Sequence, residues 1–302
     1  MKTIFNRLKG HFFFGLISCL LLSGTAFGQD GKKLAKEILA MTGARTKIVW
    51  ARAMKGMSGK NWEVLKEEYE LMLFDTNTGK EKVVLPGPAM YGCPWITPDG
   101  QRIIFTTKIK GKKADMVQVV DINGKNRRDI AEGFGHCVWM DPKTGVQWVY
   151  ISVGRLMRIL PDNTTDWVKD RHSVQAMYKY RIDKPSVREL AWTGDSSIRF
   201  RVSADGTRAG SEFGWPKAGV ANMVDKKSWK RYGHGCNSMI APDNSYRFFH
   251  MGSPVGHKGI LMYDAGGINK RNIWFKNMPG GYKAGDDSWI PKWSSDVRFL
   301  TI

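Results

Sequence analysis

The sequence predicts an all-β protein made of repeated four-stranded antiparallel meanders, a β-propeller, and three observations carry that expectation. First, a short phrase recurs in which an apolar or aromatic residue is followed by small residues and an Asp. It is found at Trp95-Ile-Thr-Pro-Asp99-Gly100, Trp139-Met-Asp141, Val202-Ser-Ala-Asp205-Gly206, Met239-Ile-Ala-Pro-Asp243 and Trp293-Ser-Ser-Asp296. A unit repeated in this way cannot bury its apolar face alone and must stack on its neighbours. Second, short runs of β-branched and aromatic residues are bounded by Gly, Pro, Asn or Asp along most of the chain. Third, the 302 residues include 12 Trp, 9 Tyr and 14 Phe, side chains that suit the spaces between packed sheets.

Residues 1–28 read as a signal peptide. Lys2, Arg7 and Lys9 precede an apolar run from Phe12 to Leu22, and Ala26-Phe27-Gly28 offers small residues at a cleavage point. The run is shorter than the roughly 20 residues a spanning helix needs, so no transmembrane segment is expected after cleavage. Leu16-Ile17-Ser18-Cys19 has the form of a bacterial lipoprotein box, although apolar Leu20-Leu21-Leu22 follows where a mature lipoprotein is polar. Lipidation of Cys19 stays open at this point. Residues 29–45 form an N-terminal helical segment, with Leu34, Ile38 and Leu39 at helical spacing within Gly31 to Met41 and a stop at Gly43.

Residues 46–302 read as strands and turns. Strands are expected at Lys47 to Ala53, Tyr69 to Asp75, Glu81 to Leu85, Gly92 to Trp95, Arg102 to Thr107, Met116 to Asp121 and Arg127 to Ala131. Residues 92–131 contain one whole meander, and Thr78-Gly79, Asp99-Gly100 and Asn123-Gly124 place Gly where a tight hairpin needs positive φ. Radial packing of such meanders is a propeller. The third unit carries an insertion at Arg155 to Arg171 before Ser173 to Asp183 resumes it. An N-terminal unit without its inner strand, four full units and an incomplete last one point to six blades, within a range of five to seven. Lys47 to Ala53 and Arg298 to Ile302 are both expected as second strands, in different blades with a gap between them, as in a fragment of a larger ring.

The phrases Pro94-Trp95-Ile-Thr-Pro-Asp99-Gly100 and Pro291-Lys-Trp293-Ser294-Ser-Asp296 resemble the Pro-Asp-type repeat of TolB-like propellers, in which a Trp-Ser-Pro-Asp-Gly turn joins the innermost strand to the second. The resemblance covers about residues 46 to 302. It implies fold more than function, because this propeller class includes assembly proteins, peptidase accessory domains and polysaccharide lyases.

Charge narrows the partners. The formal net charge is +19, and loss of the leader's three cations leaves +16. For a periplasmic or secreted chain no nucleic acid is expected as partner, and an anionic polysaccharide, an anionic envelope surface or a protein are the natural counterparts. A basic surface that serves solubility explains the same charge, since Lys and Arg form no single dense cluster. Cys93, Cys137 and Cys236 remain after the leader, an odd number without CxxC spacing, so one pair at most could bridge.

Candidate site residues follow from the propeller geometry, because the innermost strand of each blade lines the central channel. Gly92-Cys93, Gly135-His136-Cys137 and His234-Gly235-Cys236 stand at matching points, so Cys93, His136, Cys137, His234 and Cys236 are expected near one channel mouth. Thiolate and imidazole together suit a divalent metal such as Zn or Cu, while small buried Cys residues also serve as packing in narrow inner strands. No other cofactor is indicated. A second group is His250 and His257 with Asp286 and Asp287. Oligogalacturonate lyases share the propeller class and use channel-face histidines with a metal, but no motif here matches that family residue by residue. Trp95, Trp139 and Trp293 are expected at one equivalent position each, in the core between blades. There is no Gly-x-Ser-x-Gly elbow, phosphate loop or dinucleotide fingerprint. The resulting expectation is an exported, non-enzymatic binding or scaffold propeller for an anionic glycan or a protein. The alternative is a metal-assisted polysaccharide lyase or hydrolase working on the channel face.

Overall fold

The computed structural model describes residues 27–56, 67–109, 115–153, 157–159, 165–167, 176–193, 199–214, 216–275 and 291–301. Most of the expected leader, Cys19, Asp286 and Asp287 lie outside the described residues. Helix α1 (Phe27–Thr42) is the first described element, and Gly43, at φ +69°, ends it. It buries Ala35 and Ile38 against Phe74, with Ile48 and Trp50 alongside. Leu34 and Leu39, expected on the buried face, are instead exposed. The helix turns a smaller stripe inward because its backbone closes on the first sheet at Gly31, where a Cβ would lie 2.3 Å from the carbonyl oxygen of Gly79.

Antiparallel sheets follow in chain order. Strands β1 (Lys47–Ala53), β2 (Tyr69–Asp75) and β3 (Lys80–Ala89) make a three-stranded sheet. The second sheet is β4 (Gly92–Ile96), β5 (Arg102–Lys108), β6 (Asp115–Asp121) and β7 (Arg128–Glu132), in that order, as the meander pattern predicts. The third sheet is built from β8 (Phe134–Met140), β9 (Gln147–Val153), β12 (Ala176–Arg181) and β13 (Arg188–Trp192). Within the expected insertion, β10 (Met157–Ile159) and β11 (Thr165–Trp167) pair only with each other. The fourth sheet contains β14 (Arg201–Val202), β15 (Arg208–Glu212), β16 (Lys217–Asn222) and β17 (Trp229–His234). The fifth contains β18 (Cys236–Ile240), β19 (Phe248–Gly252), β20 (Gly256–Asp264) and β21 (Ile268–Trp274). Finally β22 (Lys292–Trp293) pairs with β23 (Leu300–Thr301). Strands β1 and β23 lie in different sheets. Arg298 ties the last hairpin to the helix end, its Nη2 donating to the Thr42 carbonyl at 2.7 Å.

Neighbouring sheets bury each other's faces. Ile104, Val117 and Val119 of the second sheet pack with Val149 and Ile151 of the third. Cys137, Tyr150, Met177 and Trp192 of the third pack with Val202, Ala209 and Phe213. Full burial of each aliphatic side chain contributes roughly 1.5–3 kcal/mol, so these layers dominate the stability. Directional contacts fix their alignment. Trp139 Nε1 donates to the Ala204 carbonyl across two sheets at 2.9 Å, and Tyr246 OH donates to Asp205 Oδ2 at 2.5 Å. Gly206 turns the chain at φ +72° directly under Trp139, whose ring would be 2.7 Å from any Cβ there.

Trp139→Phe keeps most of the buried ring and removes its donor, so a loss of about 1 kcal/mol in denaturant-induced unfolding is expected. Gly206→Ala is expected to cost more, since it adds the left-handed backbone penalty of about 1–2 kcal/mol to the contact with Trp139. Equal stability of both variants and the parent would show that this inter-sheet contact contributes nothing.

Candidate functional site

Each inner hairpin is closed by the same backbone bond, and this bond sets a common register. The amides of Thr97, Asp141, Ser203, Ala241 and Ser294 donate to the carbonyls of Arg102, Val146, Arg208, Arg247 and Phe299. Two residues before each closing amide stand Trp95, Trp139, Arg201, Met239 and Lys292. Trp293 therefore does not share the position of Trp95 and Trp139, as the sequence suggested; Lys292 does. The expectation misaligned because Trp293 stands one residue before its closing Ser294, whereas Trp95 and Trp139 stand two before Thr97 and Asp141.

Trp95 also departs from a simple place between two blades. It packs against core groups drawn from the second and third, the third and fourth, and the fifth and last sheets. Its half-buried indole lies where the inner strands converge. Two cations from other sheets lie on it: the Arg201 guanidinium carbon is 5.0 Å from the ring centroid and Lys292 Nζ is 4.8 Å from it. The ring quadrupole attracts both. Arg201 is buried, and its Nη1 donates to the Trp293 carbonyl at 2.6 Å. Burial pulls the Arg201 pKa down to about 10. Lys292 remains partly exposed, and its amine is also held below the ordinary value, by desolvation first. A charge on Cys93 would oppose that shift, while Arg201 and Arg199 add repulsion to it. Arg199 in turn acts on Cys236 together with the buried carboxylate of Glu212. Glu212 Oε1 accepts the Ser238 amide at 2.7 Å.

Two cations thus share one indole, and a third, Arg199, acts on Lys292 from nearby. Like charges in a desolvated space repel strongly, and an anion entering among them would be held by charge-assisted hydrogen bonds. Counting four residues back from Asp99, Asp205, Asp243 and Asp296 gives Trp95, Arg201, Met239 and Lys292. That signal was present in the sequence, hidden behind the conspicuous cysteines and histidines.

The inner strands carry bulges: Gly92 and Trp95 pair with Thr106 and Ile104, and Cys236 and Met239 with Met251 and Phe249. Cys93 and Asn237 are the extra residues, with positive φ. Cys137 pairs with Tyr150 directly after a third bulge, at His136, and is fully buried between sheets, with its thiol pushed up to about 12 by burial. Burial also raises Cys236, to about 11. All three cysteines are unbridged. His136 is buried edge-on to Phe134 at 5.5 Å. His234 ends β17 in an exposed position, 3.3 Å from Arg231 Nη2. His257 is half-buried near the start of β20. Among the described residues no three His, Cys, Asp or Glu side chains form a group able to hold a metal ion. The cysteines stand beside the cations: Cys93 acts on Lys292, and Arg201 and Arg199 act on Cys137 and Cys236.

His250 has a structural environment. Its ring stacks on Tyr263 at 5.6 Å and 17°, with Nε2 3.2 Å from the Tyr263 hydroxyl. Gly233 makes room for it, since a Cβ there would lie 2.1 Å from Nε2. Desolvation lowers the His250 pKa to about 4, with the Met251 carbonyl opposing and Lys270 and His234 adding to the shift.

No family model and no curated protein matches the chain. Similarity appears among solved structures. TolB from Acinetobacter baumannii superposes with a TM-score of 0.52 at 16% identity, over 82% of this chain and 58% of that one. A manganese complex of oligogalacturonate lyase gives 0.47 at 13% identity, over 70% of this chain and 60% of that one. A putative TolB from Agrobacterium tumefaciens gives 0.46 at 15% identity, over 67% and 73%. This chain spans less than two thirds of the length of the first two proteins. The likeness to TolB is one of fold: the chain has a TolB-like propeller fold.

The His250 shift has a definite sign. Its folded pKa lies below the ordinary 6.5, so the unfolded chain takes up the proton first. Stability is full above that value, falls as the pH drops from 6.5 to about 4, and loses about 3 kcal/mol over the window. Urea unfolding at several pH values should show a shallower slope in His250→Asn than in the parent; identical slopes would reject the assignment. Alkylation of the folded protein with iodoacetamide should leave Cys137 unmodified until denaturant is added, because a buried thiol at so high a pKa presents almost no thiolate.

Proposed function

We propose that the chain is an exported binding propeller, of six blades, that receives an anionic group of its partner at the inner-strand cations. The observation that carries this reading is that Arg201 and Lys292, from two different sheets, both lie on the ring of Trp95. Both cations are held below their ordinary pKa, so both gain when an anion restores a favourable field. The overall charge of +19 supports the same partner class, because a basic surface speeds the encounter with an anion. Among such partners an anionic glycan fits best, since its carboxylates are small enough to enter between strands and an aromatic face suits its rings. The leader pattern supports a periplasmic or secreted location, and no described helix is long and apolar enough to cross a membrane. Metal-assisted lysis of such a glycan would require ligands that the described residues do not bring together.

Calorimetric titration with a short uronate oligosaccharide tests the proposal. Lys292→Gln is expected to weaken binding about tenfold, the loss of one charge-assisted hydrogen bond. A matched change at the exposed Lys227 should leave the affinity intact. Equal affinities for the parent and Lys292→Gln would remove the inner-strand site from the function.

A further inference from the structure

In five successive sheets the turn leading into the last strand, or the first residues of that strand, carries an exposed lysine: Lys80, Lys125, Lys184, Lys227 and Lys270. The sequence scatters them, and the fold places them on one face. Within a sheet such a turn stands beside the inner hairpin turn, since the Ile122, Ile182 and Met223 amides donate to the Gln101, Gln147 and Thr207 carbonyls. In the fifth sheet Phe248 pairs with Tyr263 at that same end. Inner turns are then joined from sheet to sheet. Gln147 Nε2 donates to Asp99 Oδ2 at 2.8 Å, Trp139 Nε1 to the Ala204 carbonyl, and the Asp205 amide to Asn244 Oδ1 at 2.9 Å. Lys47, opposite Asp75, adds the first sheet by donating to the Gly100 carbonyl at 2.9 Å.

This face is cationic and carries apolar tips. Residues 121–128, 181–188 and 222–230 each hold three cations and one carboxylate. The carboxylates are held within their own turns: Asp121 by Asn126, Asp183 by Arg181, and Asp225 by the Lys227 and Ser228 amides. Asp99, Asp243 and Asp296 of the inner turns are ion-paired with Arg102, Arg247 and Arg298. Among the described residues the five lysine amines have no such partner. The two most exposed large hydrophobic side chains of the described residues, Val224 at 73% and Ile268 at 59%, stand in or directly after two of these outer turns. Ammonium groups arrayed on one face with protruding aliphatic tips match a lipid surface, where anionic headgroups meet the charges and the tips enter the interface. A soluble polyanion would engage the charges and leave the tips in water.

We propose that this face docks on an anionic lipid surface. The cations at Trp95 take no part in it, so the proposal goes beyond the glycan reading and does not rest on it. Flotation of the full chain with vesicles of phosphatidylcholine, with and without an equal part of phosphatidylglycerol, provides the test. Binding is expected with the anionic vesicles alone and should weaken as salt rises. Each lysine at an anionic surface contributes about fivefold, so Lys125→Gln, Lys184→Gln and Lys270→Gln combined should weaken binding roughly a hundredfold. Lys217→Gln with Lys258→Gln, exposed positions near the opposite ends of β16 and β20, should leave it intact. Val224→Ser with Ile268→Ser should weaken binding about tenfold and preserve its salt dependence. Circular dichroism checks that each variant folds. Equal binding by the parent and the triple lysine variant, or equal binding to neutral and anionic vesicles, overturns the proposal. So does binding of a soluble polyuronate through the three lysines with no vesicle binding, which would assign the face to a polyanion instead.

Discussion

Apolar burial between successive sheets is the constraint on which the rest of the structure depends. A four-stranded meander presents two faces, and water is excluded from both only when sheets stand on either side. The sequence answers this with strands such as β6, which is apolar on both faces and buried along almost its whole length. Such a strand would be a liability in an isolated sheet. Packed between neighbours, Val117, Val119 and Val120 become core. Tight interleaving leaves little tolerance along the inter-sheet seams, which explains why specific hydrogen bonds, such as those of Trp139 and Tyr246, sit at the turns.

The same packing creates the cationic site. Inner strands are short and close together, so residues that are remote in sequence face one another. Arg201 and Lys292 are separated by most of the fourth and fifth sheets and nevertheless share Trp95. Placing cations in this environment opposes folding, because burial penalises the charged form and each cation repels the others. The indole and the Trp293 carbonyl offset part of that cost. Cations perturbed by burial and by one another cluster at functional sites more than in ordinary packing.

Histidines and cysteines illustrate the opposite case. Cys137 and His250 attract notice as chemistry-bearing residues, and both are consumed by packing: the thiol fills a gap between sheets, and the imidazole stacks on Tyr263 in a recess left by Gly233. Burial raises the Cys137 pKa and lowers that of His250, so each is held in its neutral form. Residue type alone therefore pointed away from the cation group.

By itself the sequence determined the all-β class, the order of the meanders and the position of the hairpin turns, because alternation of apolar runs with Gly and Asp turns acts over a few residues and leaves little choice of local geometry. It also placed the helix, though not its buried face, which depended on the backbone approach at Gly31 and Gly79. Register within the inner strands was beyond it. One extra residue in a bulge shifts every side chain that follows, and the bulges at Cys93 and Asn237 are fixed by pairing with the second strand and not by local sequence. Which side chains meet at the centre was likewise decided only by the tertiary structure, since the distance between Lys292, Arg201 and Trp95 depends on how whole sheets are arranged around one another and on no property of any single segment.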